Sequence, residues 1–116
     1  MFGCGEKKGY RFGLDRTVPV RLTEYKITPQ NIVVKAGRIH LIARNDGRLT
    51  HNLVVEDRIQ EVGVEPHIYG RTRTLHPGEI GTELVPFRLA PGRYRLTCTI
   101  SNHDDLGQYG ELLVIP

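Results

Sequence analysis

The stretch Gly92-Arg93-Tyr94-Arg95-Leu96-Thr97-Cys98, resumed after a loop by Gln108-Tyr109-Gly110-Glu111-Leu112-Leu113-Val114-Ile115, decides the fold. Tyr94, Leu96 and Cys98 recur at every second position, with Arg93, Arg95 and Thr97 between them. Successive side chains of a strand point to opposite faces, so this pattern predicts a strand with one buried and one solvated face. Ala90-Pro91-Gly92 supplies a sharp turn before it, and Tyr109 to Ile115 supplies a second, closing strand.

Working outward, the same alternation recurs. Val18 to Ile27 carries Val20, Leu22, Tyr25 and Ile27 as its apolar members, until Pro29 breaks it. Ile32 to Val34 is a short strand, and Arg38 to Asn45 runs through Ile39, Leu41 and Ile42. Asn45-Asp46-Gly47 is a turn signal of the hairpin kind, before a strand from Thr50 to Glu56. Glu79 to Leu89 is a further strand, with Pro86 marking an edge or a bulge. About seven short strands with turns between them predict an all-β, Greek-key β-sandwich. Residues 57–78 interrupt this order. They are polar, contain Pro66, Gly70 and Pro77, and read as an irregular excursion with a short helix near residues 59–64. Residues 1–17 are Gly-rich and charged and read as a flexible leader, which leaves 18–116 as the single domain.

Composition narrows the function. A chain of 116 residues is one domain with enough length to bury a core, and 39% hydrophobic against 25% charged residues fits an ordinary soluble protein. The net charge of +3 comes mainly from 12 Arg, and most of these alternate with apolar residues, which makes them solvated strand faces. The sharper alternative is a mildly basic docking surface for an acidic redox partner. Nucleic-acid binding is not expected, since no motif or clustered basic stripe with aromatics occurs. No apolar stretch reaches transmembrane length. No signal peptide is visible, so the expected protein is either cytosolic or a mature form. Cys4, in Met1-Phe2-Gly3-Cys4-Gly5, is a candidate lipid-anchor cysteine, with an exposed thiol in a tail as the alternative.

The chemistry lies in the loop between the two C-terminal strands. Cys98, His103 and Gln108 follow one another at intervals of five residues, and His51 opens a strand 47 positions before Cys98. One thiolate, two imidazoles and one weak oxygen donor form a copper set: two His and one Cys in a plane, with a weak axial ligand, is the blue-copper electron-transfer arrangement. Met1 is the only Met, at the terminus, so a thioether axial ligand is excluded and Gln108 takes that position; the alternatives are an empty site or a backbone carbonyl such as that of Thr50. A side-chain oxygen is harder than sulfur, favours Cu(II) and lowers the reduction potential. Asn52 can tie the His51 strand to the Cys98 loop. His40 reads as a surface or packing residue, and His67, His76, Asp104 and Asp105 as solvated. No Ser-His-Asp set, phosphate loop or CxxC motif occurs.

Pro91-Gly92-Arg93-Tyr94 to Cys98, with His103, Gly107-Gln108, Gly110 and Leu112 to Val114, resembles the C-terminal signature of the cupredoxins, the small blue copper proteins, and Thr50-His51-Asn52 resembles their first His ligand followed by Asn. The likeness spans roughly residues 20 to 116. It implies one type 1 copper ion with His51, Cys98 and His103 equatorial and Gln108 axial. Gln at the usual Met position resembles the plant stellacyanins, but this chain lacks their disulfide and looks more like a bacterial or archaeal single-domain cupredoxin. The implied protein is a monomeric one-electron carrier between redox protein partners, not an enzyme, and periplasmic or extracytoplasmic. Two other classes compete. One is a copper chaperone or storage protein. The other is a red-copper, enzyme-like site with an extra ligand from the excursion, such as Glu65 or His67.

Overall fold

A strand that buries one face needs a second layer to bury it against. The computed structural model describes residues 10–13, 17–58, 62–82, 88–101 and 103–116, and among them the chain forms two facing sheets as a Greek-key β-sandwich. In chain order the strands are β1 (Tyr10–Gly13), β2 (Thr17–Thr23), β3 (Lys26–Thr28), β4 (Asn31–Lys35), β5 (Gly37–Arg38), β6 (His40–Asn45), β7 (Val54–Asp57), β8 (Ile68–Arg71), β9 (Ile80–Gly81), β10 (Arg88–Leu89), β11 (Gly92–Thr97) and β12 (Tyr109–Ile115). Nine of these have three or more residues, against the seven or so that alternation suggests.

The larger sheet has the order β1-β4-β12-β11-β7-β8 and the smaller β3-β2-β6-β9, with β10 and β5 forming a separate pair. β11 and β12 are antiparallel neighbours, with Tyr94 opposite Leu112 and Leu96 opposite Gly110. Parallel pairings of β4 with β12 and of β2 with β6 join segments distant in sequence. Tyr94, Leu96 and Cys98 are all buried as their spacing requires, and Tyr94 and Leu96 join Val20, Leu22, Leu41, Leu53 and Leu112 in the core. Four largely exposed Arg residues form ion pairs: Arg21 and Arg44 with Asp46, and Arg58 and Arg93 with Glu111.

Several sequence expectations change, among them the strand read from Arg38 to Asn45, which divides into β5 and β6 in different sheets, and that from Thr50 to Glu56, which begins only at Val54. The strand read as Val18 to Ile27 is two strands, β2 and β3, folded antiparallel with Glu24 and Tyr25 at the turn. Asn45-Asp46-Gly47 is not a hairpin turn, because β6 and β7 belong to different sheets. Buried Asn45 shapes the corner instead: its Oδ1 accepts from Gly47 N–H, and its Nδ2 donates to the carbonyls of Leu49 and Leu75. The excursion at 57–78 contains β8, which pairs with β7 across a bulge at Val55 and Glu56, and Val62 and Gly63 form a turn rather than part of a helix. Tyr10–Gly13, inside the expected leader, forms β1 alongside β4. Cys4 and Pro86 lie outside the described residues.

Candidate metal centre

Three segments meet at one pole of the sandwich. His51 stands ahead of β7, bridged by backbone hydrogen bonds in both directions to Leu75. Cys98 follows the last residue of β11, and its N–H donates to the carbonyl of Gln108. Between them lies a loop with a single 3-10 turn, Asp104–Leu106, closed by Gly107 at φ 112°, a left-handed conformation that glycine adopts without a Cβ penalty. The carbonyl of His103 accepts from the N–H groups of Leu106 and Gln108, which ties His103 to the segment that leads into β12.

His51, Cys98 and His103 are all buried, and one donor atom from each lies within 4.8 Å of the others. Cys98 Sγ is 3.9 Å from His51 Nδ1 and 3.6 Å from His103 Nδ1. Imidazole and thiolate bonds of about 2.0 and 2.3 Å, opened to a trigonal angle, would separate such donors by roughly 3.7 Å. The spacing therefore suits a single ion held by all three donors. Neither Glu65 nor His67 belongs to this group; both lie toward solvent, and the His67 ring packs instead on Tyr69 at 4.5 Å.

Burial raises the Cys98 thiol above its ordinary range, partly offset by the backbone N–H groups of Asn52 and Ile100 that point at the sulfur. Those two donors would remain to stabilise a thiolate once a cation takes the proton's place. Burial also lowers His103, with neighbouring His51 adding to the effect, so its ring is held neutral and able to bind a metal. Asn52 acts as its position suggests: its Nδ2 donates to Thr99 Oγ1 at 2.9 Å and its Oδ1 accepts from Thr99 N–H at 2.8 Å, which staples the His51 segment to the Cys98 loop.

Gln108 is fully buried, and the orientation of its amide is fixed chemically. One head atom lies 2.6 Å from the carbonyl of Thr23 and 2.9 Å from that of Lys26; only an NH2 can face two carbonyls, so this atom is Nε2. Oε1 is left buried with no hydrogen-bond partner among the described residues. Orphaned buried acceptors are rare and call for a ligand, an ion or a water.

The residue that the sequence reading missed is Glu24, at the turn between β2 and β3. Its Oε2 lies 2.7 Å from His51 Nε2. The carboxylate also accepts from the N–H groups of Arg48 and Leu49; these, with His51, hold its pKa down to about 2. An ionised carboxylate only accepts, so His51 Nε2 carries a hydrogen; in the neutral ring this leaves the lone pair on Nδ1, which faces Cys98. A signal did exist: the apolar spacing slips from two to three residues between Leu22 and Tyr25, which marks a turn there. The neighbouring Tyr25 ring stands edge-on to the His103 ring at 5.1 Å.

No family model and no curated protein matches the chain. Solved structures do. A dithionite-reduced auracyanin from Roseiflexus castenholzii is 23% identical, with a TM-score of 0.72 over 90% of this chain and 100% of that one. Auracyanin A, described as a "blue" copper protein from Chloroflexus aurantiacus, is 15% identical, with a TM-score of 0.59 over 84% of this chain and 98% of that one. A copper-containing nitrite reductase from Thermus scotoductus is 21% identical, with a TM-score of 0.56 over 85% of this chain but only 22% of the enzyme. The chain thus has the cupredoxin fold, with a His-Cys-His donor set gathered at one pole of its sandwich.

Proposed function

We propose that the protein is a one-electron carrier whose resident cofactor is one type 1 copper ion. His51 Nδ1, Cys98 Sγ and His103 Nδ1 would hold it in a plane, and Gln108 Oε1 would be the axial donor. The observation that carries this reading is the buried thiol–imidazole set at 3.6 and 3.9 Å, with His51 Nε2 taken up by Glu24 and Nδ1 turned toward Cys98. The copper would supply a Cu(II)/Cu(I) couple. Burial of the donors among packed residues would keep them in one arrangement for both oxidation states, which would lower the reorganisation that electron transfer requires. Gln108 supports the assignment from a second direction, since its amide is anchored by nitrogen and presents a buried oxygen without a protein partner.

Burial of His51 and Cys98 at 0% exposure favours a carrier over a copper-handling protein, because handing an ion to a partner needs reachable ligands. His103 is the outermost of the three, at 6% exposure, and would be the exit for the electron. Leu106 is half exposed and its N–H bonds the His103 carbonyl; Leu49, similarly exposed, bonds the Glu24 carboxylate. They would give a redox partner an apolar contact beside that exit. Among the described residues no helix is long and apolar enough to cross a membrane. We read the protein as periplasmic or otherwise extracytoplasmic and monomeric, with Cys4 as the position for a lipid anchor.

Adding one equivalent of Cu(II) to the metal-free protein should produce an intense visible charge-transfer band and the matching paramagnetic spectrum. Cys98→Ser should remove the band and keep the fold. Retention of the intense colour in that variant would show that the thiolate is not the ligand.

A further inference from the structure

We propose that Glu24 is a positioning residue for the metal centre: its hydrogen bond to His51 Nε2 fixes the ring, strengthens Nδ1 as a donor and lowers the reduction potential of the bound copper. The inference rests on the copper reading above and extends it to a side chain that touches no metal.

Three observations carry it. First, the contact is short and buried on the His51 side, at 2.7 Å to a ring with no exposed surface. A carboxylate on the far nitrogen of a metal-bound imidazole raises the basicity of the binding nitrogen. Cu(II) carries one more charge than Cu(I), so both the stronger donor and the nearby negative charge favour the oxidised ion. Second, the carboxylate is held in place by backbone donors. Its Oε2 also accepts from Leu49 N–H at 3.0 Å and Arg48 N–H at 2.9 Å, and its Oε1 from Arg48 N–H at 3.0 Å. Third, the neighbouring backbone is cut to receive it. A Cβ placed on Gly47 would overlap Glu24 Oε2 and press on its Cδ, so glycine at this position leaves the space that the carboxylate fills. The turn does more than carry Glu24. Its flanking residues Thr23 and Lys26 hold the Gln108 amide, so one short segment fixes both the His51 ring and Gln108.

The test compares wild type, Glu24→Gln and Gly47→Ala, each loaded with copper and measured by voltammetry. Glu24→Gln keeps the size of the side chain and removes its charge. Gly47→Ala leaves Glu24 unchanged and displaces its carboxylate. Both variants should keep the thiolate–copper band and shift the Cu(II)/Cu(I) equilibrium toward Cu(I) at least tenfold, a rise of about 59 mV for one electron. A Glu24→Gln potential within threefold of wild type, even with a lower melting temperature, would reduce Glu24 to a structural role and overturn the proposal. Nitrogen-resolved NMR of the metal-free wild type decides independently, without any variant having to fold. A neutral His51 with its hydrogen on Nε2 supports the proposal; a hydrogen on Nδ1 overturns it. Absence of the visible band from copper-treated wild type would instead defeat the copper reading, whatever the tautomer.

Discussion

Gln108 does two things with one side chain. Its nitrogen hooks the β2–β3 turn, and its buried oxygen, without a partner among the described residues, is the donor we propose for the metal. Gln108→Met should therefore have two separable effects. The reduction potential should rise, because a soft thioether favours Cu(I) over a hard amide oxygen. A tenfold change in the equilibrium is about 59 mV, well within the reach of voltammetry. The metal-free protein should also lose about 1–3 kcal/mol, because the carbonyls of Thr23 and Lys26 lose a buried donor. An unmoved potential alongside lower stability would place Gln108 outside the coordination sphere. Asn52 offers a control close to the same site. Asn52→Ala removes both hydrogen bonds to Thr99 and leaves the Thr99 N–H unpaired, so urea unfolding of the metal-free protein should show a loss of about 1–3 kcal/mol. A midpoint equal to that of wild type would mean that the staple contributes nothing to stability.

At the scale of elements, the β7–β8 hairpin is the part that patterning concealed. Its strands are short, β8 is exposed or half-buried along its length, and a bulge shifts its register, so neither a clean alternation nor an apolar run appears in the sequence. Polar contacts stabilise it. Asp57 accepts from the His67 N–H and the Tyr69 hydroxyl, and the Tyr69 ring packs edge-on against Tyr94 at 5.0 Å. The His67 N–H is the main cause that lowers Asp57 below its ordinary value of 3.8, with the Tyr69 hydroxyl next. A carboxylate depressed in the folded state contributes stability that is full above the unfolded value and is lost as the pH falls through the folded one. The advantage of wild type over Asp57→Asn in urea midpoint should thus be largest near neutral pH and shrink once the pH falls below 3.8. A gap that stays constant through that range would show that the charge of Asp57 plays no part.

Across the whole molecule, the core and the centre are separate in origin. Leu22, Leu41, Leu53, Leu96 and Leu112 are fully buried, and each buried side chain of that kind is worth about 1.5–3 kcal/mol relative to exposure. Small metal-dependent domains lack such a core and unfold without their ion. Removal of the metal with a chelator should leave the β-sheet circular dichroism spectrum and a cooperative melt in place. A coil spectrum at moderate temperature would show instead that the ion organises the sandwich. The pole would then be pre-formed, with its donors held by segments that flank the strands of the folded sandwich.

By itself the sequence determined what local chemistry can determine. Alternation at Tyr94, Leu96 and Cys98 set one strand and its buried face, because side-chain direction in a strand follows from position alone. The donor types at 51, 98, 103 and 108 indicated a metal, because ligand softness belongs to the residue and not to the fold. The tertiary structure decided what depends on residues far apart in the chain. β6 and β7, adjacent in sequence, belong to different sheets, because sheet assignment is set by which partners bury which faces. Glu24 reaches His51 across 27 positions only because β2 and β3 fold back over the pole. No period or motif encodes a single hydrogen bond between two such distant residues, and the packing of the two sheets is what brings them together.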